Sequence, residues 1–122
     1  MSYTVGDVAK KVGLSSYTLR YYEKEGLLPN VKRNDRGIRE YSDDDIVWIE
    51  LIKCLKSTGM SIEEIKVIVD LSLEGGDTIP QRKEILLNHR VKLETQIEDL
   101  VKCINKIDYK IDWYNGKSTN CK

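Results

Sequence analysis

Few side chains in this 122-residue sequence could do covalent or metal chemistry. There is one histidine, His89, and three cysteines, Cys54, Cys103 and Cys121. The thiols are odd in number and widely spaced, so no disulfide framework is expected and a reducing cytoplasm is the default. A soft-metal site needs several converging ligands, and these residues do not stand at loop-ligand spacing; neither metal nor cofactor is expected. No Gly-rich phosphate loop and no nucleophile–base spacing points to an enzyme. What the sequence does concentrate is cation: Lys32, Arg33, Arg36 and Arg39 fall within eight residues. Such a cluster suits a phosphate backbone.

Charge along the chain agrees with that reading. Lys plus Arg equals Asp plus Glu at 20 each, so the total is zero. Residues 1–41 nevertheless hold eight Lys/Arg against five Asp/Glu, residues 42–76 three against eight, and residues 77–122 nine against seven. A basic N-terminal third ahead of an acidic middle fits a small polyanion-binding head. With 40% apolar and 33% charged residues, two Pro and no Phe, the composition suits a helix-rich globular chain rather than a disordered one. Uninterrupted apolar runs reach only about four residues, too short to span a bilayer. The first residues lack the basic and apolar regions of a signal peptide.

The elements that must position the cations are punctuated by caps. Thr4, with Asp7 three residues on, opens a helix with the apolar stripe Val5, Val8, Ala9 and Val12, and Gly13 closes it. Ser15 caps a second helix over about 16–25, carrying Leu19 and Tyr22 inward and stopping at Gly26. Two short helices joined by Gly13-Leu14-Ser15 form a helix-turn-helix. Val31, Ile38 and Tyr41 bracket an Asn34-Asp35-Arg36-Gly37 turn, which predicts a short hairpin bearing the four cations as a wing. Ser42 before Asp43-Asp44-Asp45 opens a third helix with the stripe Ile46, Ile49, Ile52 and Leu55; the carboxylates are helix-start chemistry rather than a metal site. Ser61-Ile62-Glu63-Glu64 is a capping box for a fourth helix, which Gly75-Gly76 ends.

Thr78-Ile79-Pro80-Gln81 reads as the cap and first turn of a last helix, free of Gly and Pro until Gly116. Some 35 residues at ~1.5 Å each make a rod of roughly 50 Å. From Leu93 its apolar residues recur at gaps of 4, 3, 4, 3, 4, 3. Ile97, Ile104 and Ile111 take heptad position a, and Leu86, Leu93, Leu100, Ile107 and Tyr114 take d, a seam that favours two strands. The expected organisation is a DNA-binding head over 1–74, a dimerisation helix over 77–116 and a flexible tail over 117–122.

Several runs resemble one family. Thr4-Val5-Gly6-Asp7-Val8-Ala9, Thr18-Leu19-Arg20-Tyr21-Tyr22-Glu23, Gly26-Leu27-Leu28, Gly37-Ile38-Arg39-Glu40-Tyr41 and Gly59-Met60-Ser61-Ile62-Glu63-Glu64-Ile65 resemble the MerR family of bacterial transcriptional regulators. The likeness covers about residues 3–71. It implies a mainly α protein: a winged helix-turn-helix head on a long antiparallel coiled-coil dimerisation helix. It also implies a homodimer bound to double-stranded, pseudo-palindromic promoter DNA, bending and undertwisting an overlong spacer so that RNA polymerase meets both promoter hexamers. Carried over by position, Tyr17 and Thr18 would reach base edges, Arg20 and Tyr21 would hold phosphates, Arg36 and Arg39 would form wing contacts, and Lys56 would approach the backbone. Tyr22 and Tyr41 are either contacts or packing residues. The family more often has Asn where Arg36 stands, which leaves the turn type open.

The thiols divide the family by effector. Metal-sensing members place paired cysteines after the dimer helix, where this sequence has only Cys121. The stretch from Asp45 to Leu55 resembles instead the short branch associated with aldehydes and other thiol-reactive electrophiles, in which a Cys at this place is a proposed sensor. Cys54 is therefore either the sensor of a reactive small molecule or a small buried hydrophobe. Cys103 falls beside the seam, where packing is expected. The remaining readings are a metal-responsive or effector-independent regulator and, outside the class, a coiled-coil protein adaptor, which would need neither the Arg-Tyr-Tyr-Glu helix nor the cationic wing.

Overall fold

Residues 2–116 are described by a computed structural model. Helix α1 (Val5–Val12) starts where Asp7 N–H donates to Thr4 Oγ1 at 3.1 Å and Asp7 returns the bond by accepting from Thr4 N–H. It ends at Gly13, whose φ of 70° lets the Gly13 and Leu14 N–H groups both reach the Ala9 carbonyl. A side chain there would be strained, so the turn into the next helix depends on glycine. Helix α2 (Ser16–Lys24) is capped by Ser15, which accepts from Thr18 N–H at 3.0 Å. Strands β1 (Lys32–Arg33) and β2 (Arg39–Glu40) pair antiparallel, Lys32 opposite Glu40 and Arg33 opposite Arg39.

Helices α3 (Asp43–Ser57) and α4 (Ile62–Glu74) both open with reciprocal capping boxes, Ser42 with Asp45 and Ser61 with Glu64. The apolar stripe of α3 is buried as the periodicity requires: Ile46, Ile49, Ile52 and Leu55. It packs with Val8, Val12, Leu19 and Ile65 in one core. Two bonds tie distant segments to that core. Tyr3 and Tyr41 exchange backbone hydrogen bonds at 2.8 and 2.9 Å, holding the first residues against the exit of the hairpin. Trp48 Nε1 donates to the Leu27 carbonyl at 2.8 Å, fixing the chain that leaves α2.

The start of the last helix corrects the sequence expectation. Gly76–Thr78 form a 3-10 turn that runs into α5 (Ile79–Gly116), and Thr78 does not act as a simple cap. Its buried hydroxyl lies 2.6 Å from the Leu71 carbonyl and 2.7 Å from that of Gly75, and it accepts from Arg82 Nε at 3.1 Å. Arg82 also donates to the Gly75 carbonyl. These bonds attach the first turn of α5 to the end of α4. The chain accordingly divides into compact units Met1–Lys83 and Glu84–Lys122, with the division inside α5. The expected tail 117–122, with Cys121, lies outside the described residues.

Cap chemistry of this kind has a measurable consequence. Ser42→Ala removes the acceptor that Asp45 N–H uses at 3.1 Å. It should lower stability by about 1 kcal/mol, read as a reduced urea midpoint with an unchanged slope.

Candidate nucleic-acid interface

Helix α2 has nine residues and buries one side, Leu19 and Tyr22. A side chain three or four positions away shares a face with its neighbour, so Tyr17, Arg20, Tyr21 and Lys24 are grouped on the opposite side. All four are exposed, Tyr17 by 78%. Glu25 beside Tyr21 pushes that phenol above its ordinary range, with desolvation adding to the shift. Tyr21 therefore stays a neutral hydroxyl donor at physiological pH. Thr18 is half-buried, and its hydroxyl lies 2.9 Å from Ser15 Oγ at the helix start. Lys24 was missed by sequence reasoning, although its place four residues after Arg20 on the outward face is legible in the helical period.

The wing turn, open in the sequence, is defined by its bonds. Gly37 N–H donates to the Asn34 carbonyl at 2.9 Å, and Asn34 N–H to the Ile38 carbonyl at 2.8 Å. Asn34 Oδ1 accepts from Arg36 N–H and Ile38 N–H, so one side chain organises the loop from inside. Gly37 has a φ of 77°. Arg36 is left at the tip with its side chain exposed. Arg33 folds back to donate to the Gly37 carbonyl at 3.0 Å.

The residues named from the resemblance do not share one surface. Tyr17, Arg20, Tyr21, Arg36 and Lys56 are exposed. Tyr41 is fully buried and Tyr22 is 5% exposed, which favours packing over contact for both. Both rings belong to the close-packed core. Arg39 is half-buried and pairs with Glu23 of α2. That partner was not legible, because a pair sixteen residues apart leaves no period in the sequence.

Cys54 is exposed and is not the buried hydrophobe of the alternative reading. It lines a surface depression of about 420 Å³ with Lys11, Val12, Glu50, Lys53 and Ser57. Lys53 Nζ donates to the Val12 carbonyl at 2.7 Å, so this ammonium is engaged with the end of α1. Cys103 is exposed too. Among the described residues, no three of His, Cys, Asp and Glu gather as a metal site, and no helix is long and apolar enough to cross a membrane.

A helix-turn-helix with an outward aromatic and cationic face, flanked by a short cationic hairpin, defines a winged DNA-binding head. A model of the MerR HTH family regulatory protein matches residues 3–71, and one for MerR, DNA binding, matches residues 46–108. The chain belongs to the MerR family and is a DNA-binding transcriptional regulator. It is 42% identical over 114 residues to an HTH-type transcriptional regulator of Haemophilus influenzae, covering 93% of this chain and 84% of that one. It is 49% identical over 89 residues to the HTH-type transcriptional regulator AdhR of Bacillus subtilis, covering 73% and 64% respectively. The crystal structure of HiNmlR, a MerR family regulator lacking the sensor domain and bound to promoter DNA, superposes with a TM-score of 0.87 at 40% identity, covering 98% of this chain and 95% of that one. These relatives are regulators, not enzymes.

The wing tip provides a direct test. Arg36→Ala should weaken binding to duplexes of any sequence alike and reduce the log–log salt slope by about one. Fluorescence anisotropy across a salt titration measures both.

Proposed function

We propose that the chain acts as a homodimer on double-stranded, pseudo-palindromic promoter DNA and distorts the spacer for RNA polymerase. We further propose that a thiol-reactive electrophile, an aldehyde above all, alters its action through Cys54. The observation that carries the dimer is the seam of α5. Ile97, Leu100, Ile104, Ile107 and Ile111 are each exposed by more than half in the single chain, and Tyr114 by 39%. Leu86 and Leu93, which continue the seam, are half-buried. A row of apolar side chains that long does not stay in water; a second copy of the same helix matches its heptad. Two heads on one dimer then meet two half-sites, as a pseudo-palindrome requires.

Within each head, we assign Tyr17 and Thr18 to base edges, Arg20 and Tyr21 to phosphates, Arg36 to the wing contact and Lys56 to the backbone nearby. The structure of HiNmlR, a MerR family regulator bound to promoter DNA, supports a promoter target for this chain. The site of action is the cytoplasm, where promoter and polymerase meet. For the effector, support comes from the exposure of Cys54 and the resemblance of residues 45–55 to the electrophile-responsive branch. With an aldehyde, the Cys54 sulfur bonds to the carbonyl carbon, the π pair moves to oxygen, and the thiol proton ends there. The product is a hemithioacetal and no further reactant is needed.

Two variants test these parts separately. Ile104→Glu places a charge in the seam and should turn the dimer into a monomer in sedimentation at micromolar concentration, with loss of tight duplex binding. A dimer of unchanged strength would refute the seam. Cys54→Ser should bind duplex as the unaltered protein does while losing the transcriptional response to aldehydes; a full response in that variant would remove the thiol from the reading.

A further inference from the structure

The depression beside α3 holds two nucleophiles of different kinds. Cys54 supplies a thiol and Lys53 an amine, and both side chains line the same open space of about 420 Å³. Neighbours in a helix point about 100° apart. The four-carbon stem of lysine can span that divergence, and the Lys53 nitrogen is placed by contacts of its own. It donates to the Val12 carbonyl at 2.7 Å and stands 3.0 Å from where a Cβ on Gly13 would lie. That carbonyl belongs to the last residue of α1, so the ammonium sits on the negative end of the helix, directly before the turn into α2. The depression has a second amine, Lys11. Its nitrogen lies 5.6 Å from the centre of the Tyr3 ring, toward the start of α1 rather than its end.

An aldehyde carbon can take two nucleophiles in succession. A hemithioacetal on an exposed thiol reverts as the aldehyde is diluted, whereas a neighbouring amine makes the capture lasting. We infer, on the reading of Cys54 as the sensor, that Lys53 completes the capture: the aldehyde carbon first held by Cys54 becomes a bridge between the Cys54 sulfur and the Lys53 nitrogen. In this step the Lys53 ammonium first releases a proton to water. The nitrogen lone pair then forms the bond to carbon, and the carbon–oxygen bond of the hemithioacetal breaks. The hydroxyl leaves as water, taking up a second proton that the nitrogen gives up. Thiol, aldehyde and amine thus yield a thioaminal and one water, and no oxidant or reductant is needed.

The bridge ties the nitrogen to sulfur through a single carbon, and a lysine so tethered is no longer the extended ammonium that donates to Val12. The aldehyde thereby exchanges a tie from α3 to the end of α1 for a tie within α3. The change falls at the residue before Gly13, where the helix-turn-helix bends. The substrate class follows from the same chemistry: an unhindered aldehyde, with formaldehyde the smallest.

Formaldehyde is the probe, applied to the full chain, with adducts mapped by peptide mass spectrometry before and after dilution into aldehyde-free buffer. A hemithioacetal adds one carbon, two hydrogens and one oxygen; the bridge adds one carbon only. After dilution the unaltered protein should keep a one-carbon gain on the peptide carrying Lys53 and Cys54, and trypsin should no longer cut after Lys53. Cys54→Ser should show no such gain. Lys53→Arg, whose guanidinium can still donate to Val12, should take up the whole aldehyde at Cys54 and lose it on dilution. Its transcriptional response should fade at the same time, while that of the unaltered protein persists. If formaldehyde leaves no adduct on Cys54 at all, Cys54 is not the sensor and the bridge falls with it. If Cys54 takes up the whole aldehyde and releases it with no one-carbon gain, or if the retained bridge joins Cys54 to Lys11, the sensor stands and the role of Lys53 is overturned. A response in Lys53→Arg that outlasts dilution would overturn it as well. The mapping on the unaltered protein decides the matter even if Lys53→Arg loses its helical circular dichroism.

Discussion

Burying Leu19 and Tyr22 decides where every other side chain of α2 points. A nine-residue helix makes about two and a half turns, too few to present more than one inward stripe and one outward face. Once Leu19 is fully enclosed by the core, Tyr17, Arg20, Tyr21 and Lys24 have no inward option. The interface is the complement of the core, and its composition follows from a packing constraint. The same logic fixes the helix in place. Ser15 holds its start, and the Trp48 bond to the Leu27 carbonyl holds the chain that follows its end.

Electrostatics then refines what packing has set. The N-terminal third carries eight Lys/Arg against five Asp/Glu, a modest excess, so a single head has few charges to spend on a duplex. Across the whole head, α3 included, not every cation is free. Lys53 is bonded to the Val12 carbonyl, Arg33 to that of Gly37 and Arg39 to Glu23. Those three cations are bonded within the head, whereas Arg20, Lys24, Arg36 and Lys56 are among its exposed ones. Counting basic residues in a sequence overstates the charge available to a polyanion wherever such internal bonds form.

The boundary of what the sequence discloses follows the range of each interaction. Caps at Thr4, Ser15, Ser42 and Ser61 act across three residues, and each is found where the sequence places it. The stripe Ile46, Ile49, Ile52, Leu55 is buried because a helical period needs no knowledge of the partner element. Thr78 fails by the same measure. Its pattern suggests a cap, but its hydroxyl meets the Leu71 carbonyl seven residues back, a competitor that only the approach of α4 provides. Glu23 with Arg39 and Lys53 with Val12 are farther still, sixteen and forty-one residues apart. The choice between buried and exposed for Tyr41 and Cys54 was open for the same reason: residue type does not decide it and the tertiary neighbours do.

Such long-range ties also govern how a chemical signal in the head could alter its grip. Cys54 follows Lys53, and both line the same depression with Lys11 and Val12. The Lys53 bond to the Val12 carbonyl is a direct tie from α3 to the residue before Gly13, where the helix-turn-helix bends. An adduct on Cys54 would occupy the space beside that tie. It would therefore act on the placement of α1 against α3, and through the short Gly13-Leu14-Ser15 turn on α2. A change of a few tenths of an ångström at a well-packed junction is felt because such junctions do not deform continuously. In the proposed dimer two heads must reach two half-sites together, so a small loss of alignment in each is compounded at the duplex.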